Sequence, residues 1–77
     1  MRKNTLNELK KGEKAIVKEL QIEGSMKRRL LDIGLIKDSI VECVLESPLK
    51  DLKAYWIRGA LIAIRSNDAK KIFIEGV

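Results

Sequence analysis

Histidine is absent from this chain, and cysteine, proline and tryptophan each occur once. Without an imidazole, the side chain most often used to move protons near neutral pH is missing. So is the commonest nitrogen ligand of a transition metal. The lone cysteine, Cys43, cannot close an internal disulfide, and nothing in the composition points to an oxidising compartment. No glycine-rich phosphate loop is present, and no Ser, Thr or Cys has neighbours that would activate it. The chain is therefore expected to be no enzyme, with no catalytic residue and no bound cofactor. Carboxylates alternate with lysines; Glu42 and Glu46, set on one strand face, would stand roughly 13 Å apart at the usual strand rise and could not chelate one ion together. No metal site within the chain is expected, and a weak site between two molecules stays open.

Long apolar runs are also lacking. None approaches the roughly 20 residues a membrane helix needs, and Met1-Arg2-Lys3-Asn4-Thr5 lacks the apolar stretch of a signal peptide. A cytoplasmic chain without direct membrane insertion is expected. Aromatic residues are few, with only Tyr55, Trp56 and Phe73, so a base-stacking platform is poorly supplied and no stable nucleic-acid complex is expected. Against this stands a net charge of +5, with Lys10-Lys11, Lys27-Arg28-Arg29 and Lys70-Lys71 as basic clusters. Such clusters serve a solvated surface, an acidic protein partner or phosphates, and the charge alone does not choose.

What remains is a small domain, 1–77 with its core at about 5–75. It is 45% hydrophobic and 35% charged. Met26, Leu30 and Ile33 recur at i, i+4, i+7, predicting a short helix with one apolar face, Ser25 as its cap and Gly34 as its stop. Thr5 and Glu8 fit a capping box over a first helical turn. Strands are predicted near Glu13–Ile22, whose inward face is ambiguous; at Ser39–Ser47, with Val41, Cys43 and Leu45 on one face and Glu42 and Glu46 on the other; and at Ala54–Arg58, Ala60–Arg65 and Ile72–Ile74. Pro48-Leu49-Lys50-Asp51 reads as a loop, and Ser66 caps a turn over 67–71. About five strands with one or two short helices fit a mainly β, closed or half-open barrel, of SH3-like or OB type. Cys43 reads as a small core residue.

Three stretches carry a resemblance: Met26-Lys27-Arg28-Arg29-Leu30-Leu31-Asp32-Ile33-Gly34-Leu35, then Pro48-Leu49, then Gly59-Ala60-Leu61-Ile62-Ala63-Ile64-Arg65. Together with the opening Thr5-Leu6-Asn7-Glu8-Leu9-Lys10-Lys11-Gly12, their order and spacing resemble the ferrous iron transport protein A family from about Thr5 to Ile74. Two turn positions depart from the family pattern: Lys37-Asp38 stands where Pro-Gly is common, and Lys50 where Gly is common. The resemblance implies an SH3-like barrel and a role in ferrous iron uptake. The implied partner is the cytoplasmic, GTPase-bearing part of the large permease, ferrous iron transport protein B. Transition-metal binding is implied at family level only.

Within that frame Tyr55 and Ile57 share one face of their strand, and Trp56 and Arg58 the other. One aromatic should face outward, although Trp56 could instead close one end of the core. An exposed Trp beside Arg is the composition of an interface hot spot. The expected partner contacts are Lys27, Arg28, Arg29, Trp56, Arg58 and Arg65. Arg29 could instead lay its stem over the core. The alternatives are a regulatory SH3-like module that binds an iron-dependent repressor, or a basic OB- or SH3-like nucleic-acid-binding domain. Weak homo-oligomerisation is open.

Overall fold

The computed structural model describes residues 4–49 and 51–76. Lys50, one of the two departures from the family pattern, lies outside them, as do residues 1–3 of the N-terminal stretch. The alternating segments form six strands: β1 (Asn4–Thr5), β2 (Lys14–Leu20), β3 (Ile40–Glu46), β4 (Leu52–Ile57), β5 (Ala60–Arg65) and β6 (Ile72–Gly76). Between them lie a 3-10 turn at Leu6–Glu8 and two helices, α1 (Ser25–Asp32) and α2 (Ser66–Ala69). All pairs are antiparallel, in the order β1-β6-β2-β3-β4-β5. The expected mainly β, SH3-like fold is the one observed. It has a sixth strand because Asn4 and Thr5 pair with Ile74 and Phe73 before the capping box turns the chain. Within that box the Thr5 N–H donates to the Glu8 carboxylate at 2.9 Å.

The sheet is not closed into a barrel: β1 and β5 are its ends. Side chains bridge the two ends instead. The Lys53 ammonium, on β4, donates to the backbone carbonyls of Asn7 at 2.7 Å and Leu9 at 2.9 Å. The Tyr55 hydroxyl, two residues along the same face, donates to the Leu6 carbonyl at 3.2 Å. The Leu6 carbonyl also takes the Leu9 N–H at 3.1 Å, closing the 3-10 turn, while Lys53 serves the Asn7 and Leu9 carbonyls at its C-terminal end. The core they cover contains Leu6, Leu30, Leu35, Val41, Cys43, Tyr55, Ile57, Ile64 and Ile72, all with no exposed surface.

Two bulges explain where simple alternation misleads. In β2 the register shifts between Val17 and Glu19. Ala15 and Val17 point inward before the shift, and beyond it Ile22 is buried and Leu20 packs on the core. One extra residue swaps the inward parity, which is why both faces of this segment read as partly apolar. In β3 the shift falls between Cys43 and Leu45. Val41 and Cys43 are buried as expected, but Leu45 is 53% exposed, which corrects its placement on the core face. The same bulge separates Glu42, opposite Trp56, from Glu46, opposite Lys53, so the two carboxylates do not share a face.

The helix stripe holds: Leu30 is buried, Met26 and Ile33 pack on the core, and Leu31 is exposed. Its start does not. Gly24, at φ 76° and ψ −152°, is the N-cap, and Ser25 is the first helical residue with no side-chain capping bond. Only glycine reaches that conformation easily, so the turn into the helix falls one residue earlier than Ser25 suggested. Gly34 ends the helix at φ 98°. The Leu35 N–H bonds to the Leu30 carbonyl at 2.9 Å and the Gly34 N–H to Leu31 at 3.0 Å, a Schellman closure with buried Leu30 and Leu35 in the matching positions. Similarly, Arg65 caps α2 and Ser66 lies inside it; the Ser66 N–H is taken by the Asp51 carbonyl at 2.9 Å.

Candidate interaction surface

The outer face of β3, β4 and β5 is assembled by cross-strand register. Glu42, Trp56 and Leu61 form one row, Leu45, Ala54 and Ala63 the next, and Leu52 and Arg65 a third. Directly opposed side chains in an antiparallel sheet lie on the same face and touch. The face is unusually apolar for a wet surface: Trp56 is 48% exposed, Leu61 51% and Leu45 53%. Leu45, Leu52, Ala54 and Ala63 line a shallow groove on it. Ile40, 57% exposed and two residues before Glu42, extends it toward β2, where it pairs with Ile16.

The two aromatics of β4 divide as strand geometry requires. Tyr55 is wholly buried and Trp56 faces outward, which excludes Trp56 as the plug of the core. Arg58 does not share the strand face with Trp56, because β4 ends at Ile57. Arg58 occupies the two-residue turn to β5 at φ 48°, a left-handed value suited to a type I′ hairpin. Its side chain lies over Gly34: a Cβ built there would stand 2.5 Å from the Arg58 Cδ. Arg58 thereby joins the end of α1 to the β4–β5 turn. Arg65, exposed, sits at the far end of β5 beside α2.

Lys27, Arg28 and Arg29 are all exposed on α1; Arg29 does not lay its length over the core. Lys27 and Arg28 line a hollow with Gly24, Leu31 and Asp32. The predicted residues thus fall into two groups, one on α1 and one on the outer sheet, with Arg58 between. Sequence reading missed Leu45, Leu61 and Ala63 as surface residues. For Leu61 and Ala63 the signal was present in the alternation with buried Ile64; for Leu45 the bulge hid it.

Ionic pairing leaves Arg28, Arg29, Arg58 and Arg65 without a partner among the described residues. Among the described residues the ion pairs are Lys18–Asp38 and Lys53–Glu46, both 3.7 Å. No group of three or more His, Cys, Asp or Glu side chains that could hold a metal occurs among the described residues. Cys43 is buried, and burial chiefly pushes its thiol pKa above the ordinary 9.0; it is therefore a poor nucleophile. Burial likewise pushes the Tyr55 phenol upward, with the neighbouring Cys43 adding to it. No described helix is long and apolar enough to cross a membrane.

Comparison with known proteins agrees with the sequence motifs. Residues 4–76 match the FeoA domain model. A Campylobacter jejuni protein named for Fe(2+) transport protein A is 35% identical over 71 residues, covering 92% of this chain and 96% of its own length. A Porphyromonas gingivalis protein, an Fe(2+) transport protein A/Fe(2+) transporter FeoB fusion, is 30% identical over 70 residues; the match covers 91% of this chain but 8% of the fusion's length. The solution structure of FeoA from Chlorobium tepidum superposes with a TM-score of 0.89 at 32% identity, over 95% of this chain and 70% of that one. From its helix signature to its final strand, the chain belongs to the FeoA family of ferrous iron transport.

Proposed function

We propose that the chain is a non-catalytic adaptor of ferrous iron uptake that works in the cytoplasm by docking on the cytoplasmic part of the Fe(2+) transporter. The observation that supports this most directly is the Porphyromonas gingivalis relative, in which a segment like this chain and the transporter share one polypeptide. Covalent linkage makes an intermolecular encounter intramolecular and raises its effective concentration. Such a fusion is useful where the two parts touch. The chemistry of the chain fits a binding role: it has no histidine, its one thiol is buried, and an apolar sheet face is exposed. The effect of docking is on the assembly or nucleotide cycle of the transporter, while iron passes through the transporter itself.

The contacts proposed are Trp56, Arg58 and Arg65 on the sheet side and Lys27, Arg28 and Arg29 on α1. The test is pull-down of the transporter's soluble domain by the tagged chain. Wild-type protein is expected to retain the domain. Charge reversal at Arg28 and Arg29, both solvent-exposed, is expected to weaken capture while circular dichroism stays unchanged. Undiminished capture by that variant would remove α1 from the contact, and no capture by the wild type would refute the adaptor role.

A further inference from the structure

The outer face of β3–β5 leaves a contiguous apolar surface uncovered. Trp56, Leu61 and Leu45, each about half exposed, surround the alanines Ala54 and Ala63. Alanines at the centre keep the face flat and open a groove between the larger residues. Single exposed apolar side chains are ordinary; a contiguous set of this kind on so small a chain marks a contact. None of these residues belongs to the buried core cluster beneath them.

Charge identifies the occupant. Arg58 and Arg65 stand at the two ends of β5, and neither has an ion-pair partner among the described residues. Glu42 lies on β3, opposite Lys14 on one side and Trp56 on the other, and Glu46, which lines the groove, is paired with Lys53, so the two arginines at the ends of β5 are positive charges with no ion-pair partner among the described residues. A second copy of the chain would bring the same arginines and another net charge of +5 against this face, which opposes self-association. We propose that this face docks a protein segment with an apolar centre and acidic ends, its apolar side chains on Trp56, Leu61 and Ala63 and its carboxylates at Arg58 and Arg65. The inference rests on the adaptor reading, for which it names the principal contact surface and the partner's chemistry.

The test is titration of the 15N-labelled chain with the soluble domain of the transporter, using amide shifts and the fluorescence of the single tryptophan. The largest shifts are expected at Leu45, Trp56, Leu61 and Ala63, with a blue shift of Trp56 emission as water leaves its ring. The double variants Trp56→Ser/Leu61→Ser and Arg58→Glu/Arg65→Glu are each expected to weaken binding at least tenfold. Well-dispersed spectra of each free variant confirm that it is folded. Raising salt from 50 to 300 mM is expected to weaken the wild type more than the arginine variant. Tight binding by both double variants, or shifts confined to α1, would overturn this docking face while leaving the adaptor reading intact. Concentration-dependent shifts at the same residues without any partner would assign the face to a second copy instead. Absence of wild-type binding would refute both readings.

Discussion

At residue scale the clearest case is Asp38. The sequence departs here from the Pro-Gly common in the family, yet the backbone keeps the turn: Asp38 sits at φ 74°, and the Ser39 N–H bonds back to the Ile36 carbonyl at 3.0 Å. The turn is held by its surroundings. The Asp38 N–H donates to the Val17 carbonyl at 2.7 Å, and the Ser39 hydroxyl donates to the Gly34 carbonyl at 2.9 Å while accepting the Ile36 N–H. A left-handed aspartate is strained by about 1 kcal/mol relative to glycine. Its ion pair with Lys18, with the Asp38 side chain 69% exposed, returns little. Asp38→Gly is expected to stabilise the fold by about 0.5–1 kcal/mol, raising the melting temperature by roughly 2–8 °C for a domain of this size. A thermal melt checks this; a lowered melting temperature would show that the carboxylate contributes more than its exposure implies. The inward Cys43 was legible from its alternation with Val41; that one of Tyr55 and Trp56 faces outward was legible too, but which one was not, since a core this small could have used the indole as its plug. The cap at Gly24 was not, since Ser25 has the better side chain for capping and only the backbone angle at Gly24 decides between them.

At element scale, the strands were legible and their faces only in part. Each bulge adds one residue, and one residue reverses every side chain beyond it. Leu45 and Leu20 were misplaced or left ambiguous for that reason, and no local propensity marks where the extra residue falls. The openness of the sheet was equally hidden, because the bonds that bridge its ends join residues more than forty positions apart. Lys53 is the chief of these bridges. Its side chain is 11% exposed, donates to two carbonyls and lies 3.7 Å from Glu46. Lys53→Met keeps the stem and removes the donors, leaving the Asn7 and Leu9 carbonyls and the Glu46 carboxylate short of a partner. A cost of about 1–3 kcal/mol is expected, read from the urea midpoint. Hydrogen exchange should quicken first in β1 and the 3-10 turn. A variant as stable as the wild type would show that apolar packing alone holds the N-terminal segment in place.

At the scale of the whole molecule, stability depends on a core that holds two ionisable groups, Cys43 and Tyr55, and burial raises the pKa of both. A domain this small has only about 3–5 kcal/mol from its core, so a modest pH effect is visible. At pH 8 and below both groups are almost wholly protonated in the folded and unfolded chain, and their contribution is constant. Above the ordinary thiol value of 9.0 the unfolded chain releases a proton that the folded chain retains. Folding then binds protons, and stability falls as pH rises, by at most about 1.4 kcal/mol per pH unit for one group. Tyr55 joins above its ordinary value of 10.0. Of the two buried groups, the thiol has the lower ordinary value, so the interval from pH 9 to 10 reports chiefly on it. Urea midpoints measured at pH 7, 8, 9, 10 and 10.5 are expected to be level to pH 8, slightly lower at pH 9, and then to fall, more steeply past pH 10. Cys43→Ala is less stable at pH 8 through its smaller volume, but its midpoint should stay level to pH 10, since no thiol remains to ionise. If that variant falls as steeply as the wild type between pH 9 and 10, the alkaline loss arises from surface charge, and the buried thiol is not what sets the upper pH limit of the fold.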